Sequence, residues 1–257
     1  MKKTLLLTSV SALALCAGKS AADAADLRAP AYKAPPPAPA PVFSWTGCYI
    51  GPHVGWGWSR LQTTATEFAS GSAGTNRGSK TITASGAVFG TQAGCNYQFN
   101  GNWVLGIQGD FAATDINGGN HNPSPGLASD NDAQVRAKVD WLASITGRIG
   151  WATTGFLTAN PTLWYFKGGG AWAHERWDIS DSVGDEITQT RNGWTIGAGI
   201  ETVLVGNWTF VSEFDYYDFG SKSFTFNESG FGTGNPTTFD VKHTMWESKF
   251  GLNYKFY

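Results

Sequence analysis

The chain has 257 residues, of which 15% are charged, and a formal net charge of −2. That balance leaves no electrostatic footprint for nucleic acid, and beyond the first residues no apolar run reaches the roughly 18 residues of a spanning helix. Glycine (33), Phe (16) and Trp (12) are plentiful, and a slightly negative mean hydropathy is no objection to a membrane protein built of alternating strands.

In chain order, Lys2 and Lys3 form a positive start and residues 5–17 a short apolar run. Small residues follow, and Ala22-Asp23-Ala24 fits a small-x-small cleavage site. Residues 1–24 are therefore expected to be a Sec-type secretory signal peptide rather than a buried helix. Lipidation of Cys16 is rejected because Leu15 precedes it where a small residue is required. Residues 25–43 follow as a Pro-rich periplasmic segment, with Pro30, Pro35, Pro36, Pro37, Pro39 and Pro41. Proline favours polyproline II and cannot join a sheet ladder.

Residues 44–257 read as one all-β domain. Period-2 segments recur at about 45–60, 82–99, 102–115, 134–153, 161–177, 188–204, 207–222 and 240–257. Their separators alternate between long polar stretches (61–81, 116–133, 178–187 and 223–239) and short ones near Asn100-Gly101, 154–160 and Val205-Gly206. That rhythm predicts an eight-stranded antiparallel up-and-down transmembrane β-barrel. An even strand count places both termini on the periplasmic side, with the long loops outside.

Side chains alternate across a strand, so each strand has two faces. One face collects Ile50, Val54, Trp56 and Trp58, then Phe89 and Tyr97, then Trp103, Leu105, Ile107 and Phe111. It continues with Trp141, Ile145, Ile149 and Trp151, then Trp164, Phe166 and Trp172, and later Trp194, Ile196, Trp208, Phe210, Phe214 and Tyr216. This is the expected lipid face. The other face carries Gln92, Asn96, Gln108 and a lumen charge network of Asp110, Lys138, Asp140, Arg148, Lys167, Glu201, Glu213, Asp215, Glu247 and Lys249, with Lys255 beyond it. Eight strands enclose a space that their own side chains fill, and unpaired buried charge costs several kcal/mol. Near-balanced acids and bases thus predict a polar plug. Inward glycines such as Gly55, Gly106, Gly169, Gly197, Gly199 and Gly251 leave room for it.

Cys48 and Cys95 fall on the outward face of the first two strands, in a register that also pairs Ile50 with Ala93 and Val54 with Phe89. Opposed residues bring Cβ atoms about 4.5–5.5 Å apart, and the periplasm is oxidising. A disulfide is expected, the alternative being two small apolar side chains facing lipid.

Chemistry-bearing motifs are sparse. His53, His121, His174 and His243 form no His–Ser–acid arrangement recognisable in sequence, and two mature cysteines make no zinc spacing. Gly168-Gly169-Gly170 lies in a strand and lacks the helix of a phosphate loop. No catalytic, cofactor or metal site is expected.

The final strand places Trp246, Phe250, Leu252, Tyr254 and Phe256 on one face and Glu247, Lys249, Asn253 and Lys255 on the other. Phe250, Leu252, Tyr254 and Phe256 give this strand the aromatic, apolar face expected of the strand that closes an outer-membrane barrel. Together with Trp45-Thr46-Gly47-Cys48-Tyr49-Ile50-Gly51, Gly90-Thr91-Gln92-Ala93-Gly94, Gly168-Gly169-Gly170-Ala171-Trp172 and Tyr254-Lys255-Phe256, it makes residues 44–257 resemble the small outer-membrane immunogenic proteins, porin-family eight-stranded barrels of Gram-negative bacteria. One departure is Tyr257, which follows the Phe where such chains usually end. The resemblance implies a surface-exposed structural barrel in the cell outer membrane with no catalytic residues to carry over. A narrow porin-like channel and an adhesin acting through the long loops are the alternatives. The resemblance also implies that the barrel-assembly machinery reads Phe250, Leu252, Tyr254 and Phe256 as its signal, and outer-membrane lipid and a peptidoglycan or host-surface ligand are the other partners in view.

Overall fold

The computed structural model describes residues 43–67, 75–121, 134–154, 159–180, 185–226 and 237–256. The expected signal peptide, most of the Pro-rich segment and the loop tips lie outside the described residues. The strands are β1 (Gly47–Glu67), β2 (Thr75–Phe99), β3 (Trp103–His121), β4 (Gln134–Thr154), β5 (Pro161–Ser180), β6 (Asp185–Val205), β7 (Trp208–Phe226) and β8 (Thr237–Phe256). Each pairs antiparallel with its neighbour, and β8 closes onto β1. This is the fold class that the alternation predicts.

Two of the three short connections owe their tightness to backbone chemistry. Asn100 and Gly101 both take positive φ, 46° and 78°, within the three-residue connection between the paired Phe99 and Trp103, and Asn and Gly are the residues that adopt this conformation most readily. Gly206 does the same at 55° between β6 and β7. At the opposite end the strands run further than period-2 counting indicates. β1 continues to Glu67, β3 to His121 and β7 to Phe226. The sequence there is dominated by Thr, Ser, Asn and Gly, so apolar alternation vanishes although the hydrogen-bonded ladder persists. The long separators thus shrink to 68–74, 122–133, 181–184 and 227–236.

A second departure is a β-bulge in β4. Val139 pairs with Glu175 and Trp141 with His174, leaving Asp140 as an extra residue. One inserted residue reverses which way every side chain beyond it points. Arg148, Thr146 and Ser144 face the lumen, as parity predicts, but beyond the bulge Val139 and Ala137 turn inward. Lys138 and Asp140 therefore do not belong to the lumen network. They face out, where Asp140 pairs with Arg176 at 3.3 Å and Lys138 with Asp115 at 3.9 Å.

Outside, large apolar side chains form a continuous exposed band. Trp103, Trp151, Trp208 and Tyr254 rim it at the short-turn end, and Trp58, Trp141, Trp194 and Trp246 at the long-loop end. Along β4 the rise from Trp151 to Trp141 is about 25 Å, at ~3.3 Å per residue and a tilt of roughly 40°. That height matches the lipid band of an outer-membrane barrel.

Candidate functional site

The barrel interior is filled in layers. At the short-turn mouth Trp45, 1% exposed, packs with Val104, Leu163, Tyr165 and Val203, and Phe43 lies against this cluster. Gln98 accepts from the Trp45 amide at 2.8 Å, and the Thr46 hydroxyl accepts from the Gln98 amide at 3.0 Å. Lys255 donates to the Ser44 carbonyl at 2.9 Å and stands over the rings of Phe43 and Trp45. The stretch leading into β1 thus stoppers the mouth.

Above it Arg148 donates to Glu201 at 2.9 Å, to the Tyr49 hydroxyl at 2.6 Å and to Gln108 at 3.0 Å. Its guanidinium lies 3.8 Å from the Tyr165 ring centroid. Thr209 and Asn253 donate to the other Glu201 oxygen, at 2.6 and 3.2 Å, so both oxygens of this buried carboxylate are hydrogen-bonded.

The middle layer joins two cations to three acids. Lys249 lies 2.6 Å from Asp110 and 2.8 Å from Glu213, while Lys167 lies 2.7 Å from Glu213 and 3.0 Å from Asp215. Tyr165 donates to Glu213, and Tyr217 to Glu247 at 2.8 Å. Space for these groups comes from glycine. A Cβ on Gly197 would stand 1.9 Å from an Asp215 oxygen, and one on Gly199 2.5 Å from the Tyr165 ring.

Toward the long-loop end an apolar layer of Leu61, Ile82, Val88, Ile116, Val139, Trp177, Phe219 and Met245 crosses the lumen. Set within it, the Ser59 hydroxyl is 2.7 Å from His243 Nε2, and His243 Nδ1 contacts Glu175. Arg191 Nε holds the second Glu175 oxygen at 2.9 Å, and Trp177 donates to it at 3.2 Å. Hydroxyl, imidazole and carboxylate stand in the order of a hydrolytic triad, an arrangement that sequence reading did not find. Ser59, His243 and Glu175 are respectively 2%, 0% and 2% exposed. The set is enclosed within the apolar layer, so the hydroxyl faces protein and not solvent.

Of the ten residues in the expected charge network, eight lie in the lumen. Glu175 and Arg191 take the places of Asp140 and Lys138, so once Lys255 is counted acids still exceed bases by one. Parity could have found both, since Glu175 shares a face with Lys167 and Arg191 with Glu201. His53 also points inward, with neither ring nitrogen hydrogen-bonded. On the opposite surface Cys48 and Cys95 face each other across β1 and β2 and are joined by a disulfide. Phe250, Leu252, Tyr254 and Phe256 all project outward.

Comparison with known proteins agrees with this architecture. A family model described as "Outer membrane protein beta-barrel domain" matches residues 10–256. The chain is 30% identical over 261 residues to the 31 kDa outer-membrane immunogenic protein of Brucella melitensis, covering 99% of this chain and 100% of that protein. It is 31% identical to the 22 kDa outer membrane protein of Rhizobium leguminosarum bv. viciae, covering 76% and 74%. Among solved structures, OprG from Pseudomonas aeruginosa aligns at 17% identity with a TM-score of 0.48, over 82% of this chain and 97% of that one.

Proposed function

We propose, since the chain belongs to the outer membrane protein β-barrel domain family and is a barrel of the cell outer membrane, that it is a structural, surface-exposed envelope protein whose lumen is a plug. The observation that carries this reading is the layered interior. Trp45 stoppers one end, the Arg148–Glu201 and Lys167–Lys249 clusters fill the middle, and the Leu61–Met245 layer fills the other end. Ions crossing such a lumen would have to part buried pairs, and each charge left unpaired costs several kcal/mol. Purified protein in planar bilayers is expected to show no steady unitary conductance. Stable, size-selective channels would establish the porin reading instead.

Orientation follows from the same reading. The short turns face the periplasm and the loops 68–74, 122–133, 181–184 and 227–236 face outward. The domain plan is a cleaved signal (1–24), a Pro-rich periplasmic arm (25–43) and the barrel (44–257). Relatives named as immunogenic support the role of surface antigen, with any host-surface ligand engaging the loops and any peptidoglycan contact engaging the arm. Lipid is the partner of the barrel wall, and the assembly machinery is the partner of Phe250, Leu252, Tyr254 and Phe256 during biogenesis. No enzymatic activity is assigned, because the Ser59–His243–Glu175 array is enclosed.

A further inference from the structure

Two cations on the barrel wall are arranged unlike the rest. Trp58 and Trp246 oppose each other across the β1–β8 seam, and the Tyr216 ring lies 4.6 Å from that of Trp246. One outward step beyond this aromatic floor, away from the lipid band, stand Arg60, paired in register with Thr244, and Lys242, paired with Gln62. They are diagonal neighbours, about 7–8 Å apart and somewhat closer at Cβ. Both are exposed, and among the described residues neither has a hydrogen-bond or ion-pair partner.

The nearest acids in register form no ion pair with either cation. Asp218 accepts from the Gly220 amide at 2.8 Å, and Asp240 accepts from the Ser223 hydroxyl. Elsewhere on the outer wall the pattern differs, since Lys138 and Arg176 share Asp115 and Asp140.

We propose that Arg60 and Lys242 form a site for the phosphate of a glycolipid headgroup in the outer leaflet, its acyl chains lying down the wall over Trp56 and Phe250. Long basic side chains lay their stems on apolar surface and hold their charge at headgroup level. Interfacial aromatics fix that level, and Arg adds a fork that matches phosphate oxygens. Without carboxylate partners, these two cations have their charge available to an anion. The proposal rests on the orientation given above, which puts this end of the barrel in the outer leaflet.

The test uses full-length folded protein in micelles, titrated with lipid A and with its dephosphorylated form, read by native mass spectrometry. Lipid A is expected to bind preferentially. The Arg60→Gln/Lys242→Gln double variant should weaken that binding about thirtyfold, since each cation contributes roughly a kilocalorie. Arg60→Lys/Lys242→Arg should retain it, and Lys138→Gln should leave it unchanged. Heat-modifiable gel mobility checks that each variant folds. Equal binding of the dephosphorylated form, or unchanged binding by the double variant, overturns the site. Displacement by millimolar inorganic phosphate overturns the assignment to lipid. A failure of orientation shows itself separately, as cell-surface labelling at the short turns with micelle binding intact.

Discussion

Arg148 and Glu201 show what a single residue contributes to this barrel. Both are nearly inaccessible, and the guanidinium sits among Glu201, Gln108 and the rings of Tyr49 and Tyr165. A buried pair adds little over a well-packed apolar pair, but removing one partner strands the other. Arg148→Met is therefore expected to lower the unfolding free energy by about 3–5 kcal/mol, measured by urea titration in lipid vesicles. Adding Glu201→Gln should recover part of the loss. A single variant as stable as the parent would mean that water reaches Glu201. The Ser59 hydroxyl makes a complementary case. Its partners match those of a hydrolase nucleophile, yet enclosure should keep it inert. A fluorophosphonate probe is expected to leave Ser59 unlabelled in folded protein, and selective labelling abolished by His243→Ala would reveal an access route and a working nucleophile.

At the scale of elements, the β4 bulge and the first hairpin carry the sharpest expectations. Because Asp140 is an extra residue, Lys138 faces out and Val139 faces in. A water-soluble maleimide should modify Lys138→Cys and spare Val139→Cys; the opposite pattern would mean an unbroken β4. The hairpin β1–β2 is tied by Cys48–Cys95 across a separation of 47 residues. In the chain-entropy view a loop of that length stabilises by about 4 kcal/mol. Cys48 also lies opposite Phe256 in the closing pairing, so the bond braces the edge that receives the last strand. Non-reduced protein should resist alkylation at both cysteines, and free alkylation of both would refute the bond.

For the whole molecule, closure and orientation are the properties to test. Eight strands leave an interior only as wide as its own side chains, and here those side chains meet from opposite walls. Lys249 of β8 reaches Asp110 of β3, and Gln108 of β3 donates to Glu213 of β7, four strands away, at 3.2 Å. Such contacts tie the cylinder across its diameter, in addition to the ladder around its circumference. Orientation is accessible in intact cells. Ser72→Cys and Ser124→Cys, in the loops 68–74 and 122–133, are expected to react with an impermeant probe while Asn100→Cys does not. Labelling at Asn100→Cys in sealed cells would invert the topology.

The sequence by itself determined the strand count, the tight Asn100-Gly101 turn, the lipid and lumen faces, and the register that aligns Cys48 with Cys95. These are local properties, since side-chain direction in a strand follows from position alone. Tertiary structure decided what local period cannot carry. The bulge at Asp140 turned Lys138 outward, because parity holds only until a residue is inserted. The strands outran their apolar alternation, because ladder hydrogen bonds do not depend on which face is greasy. Ser59, His243 and Glu175 met from β1, β8 and β5, because closing the cylinder sets which distant inward side chains share a level.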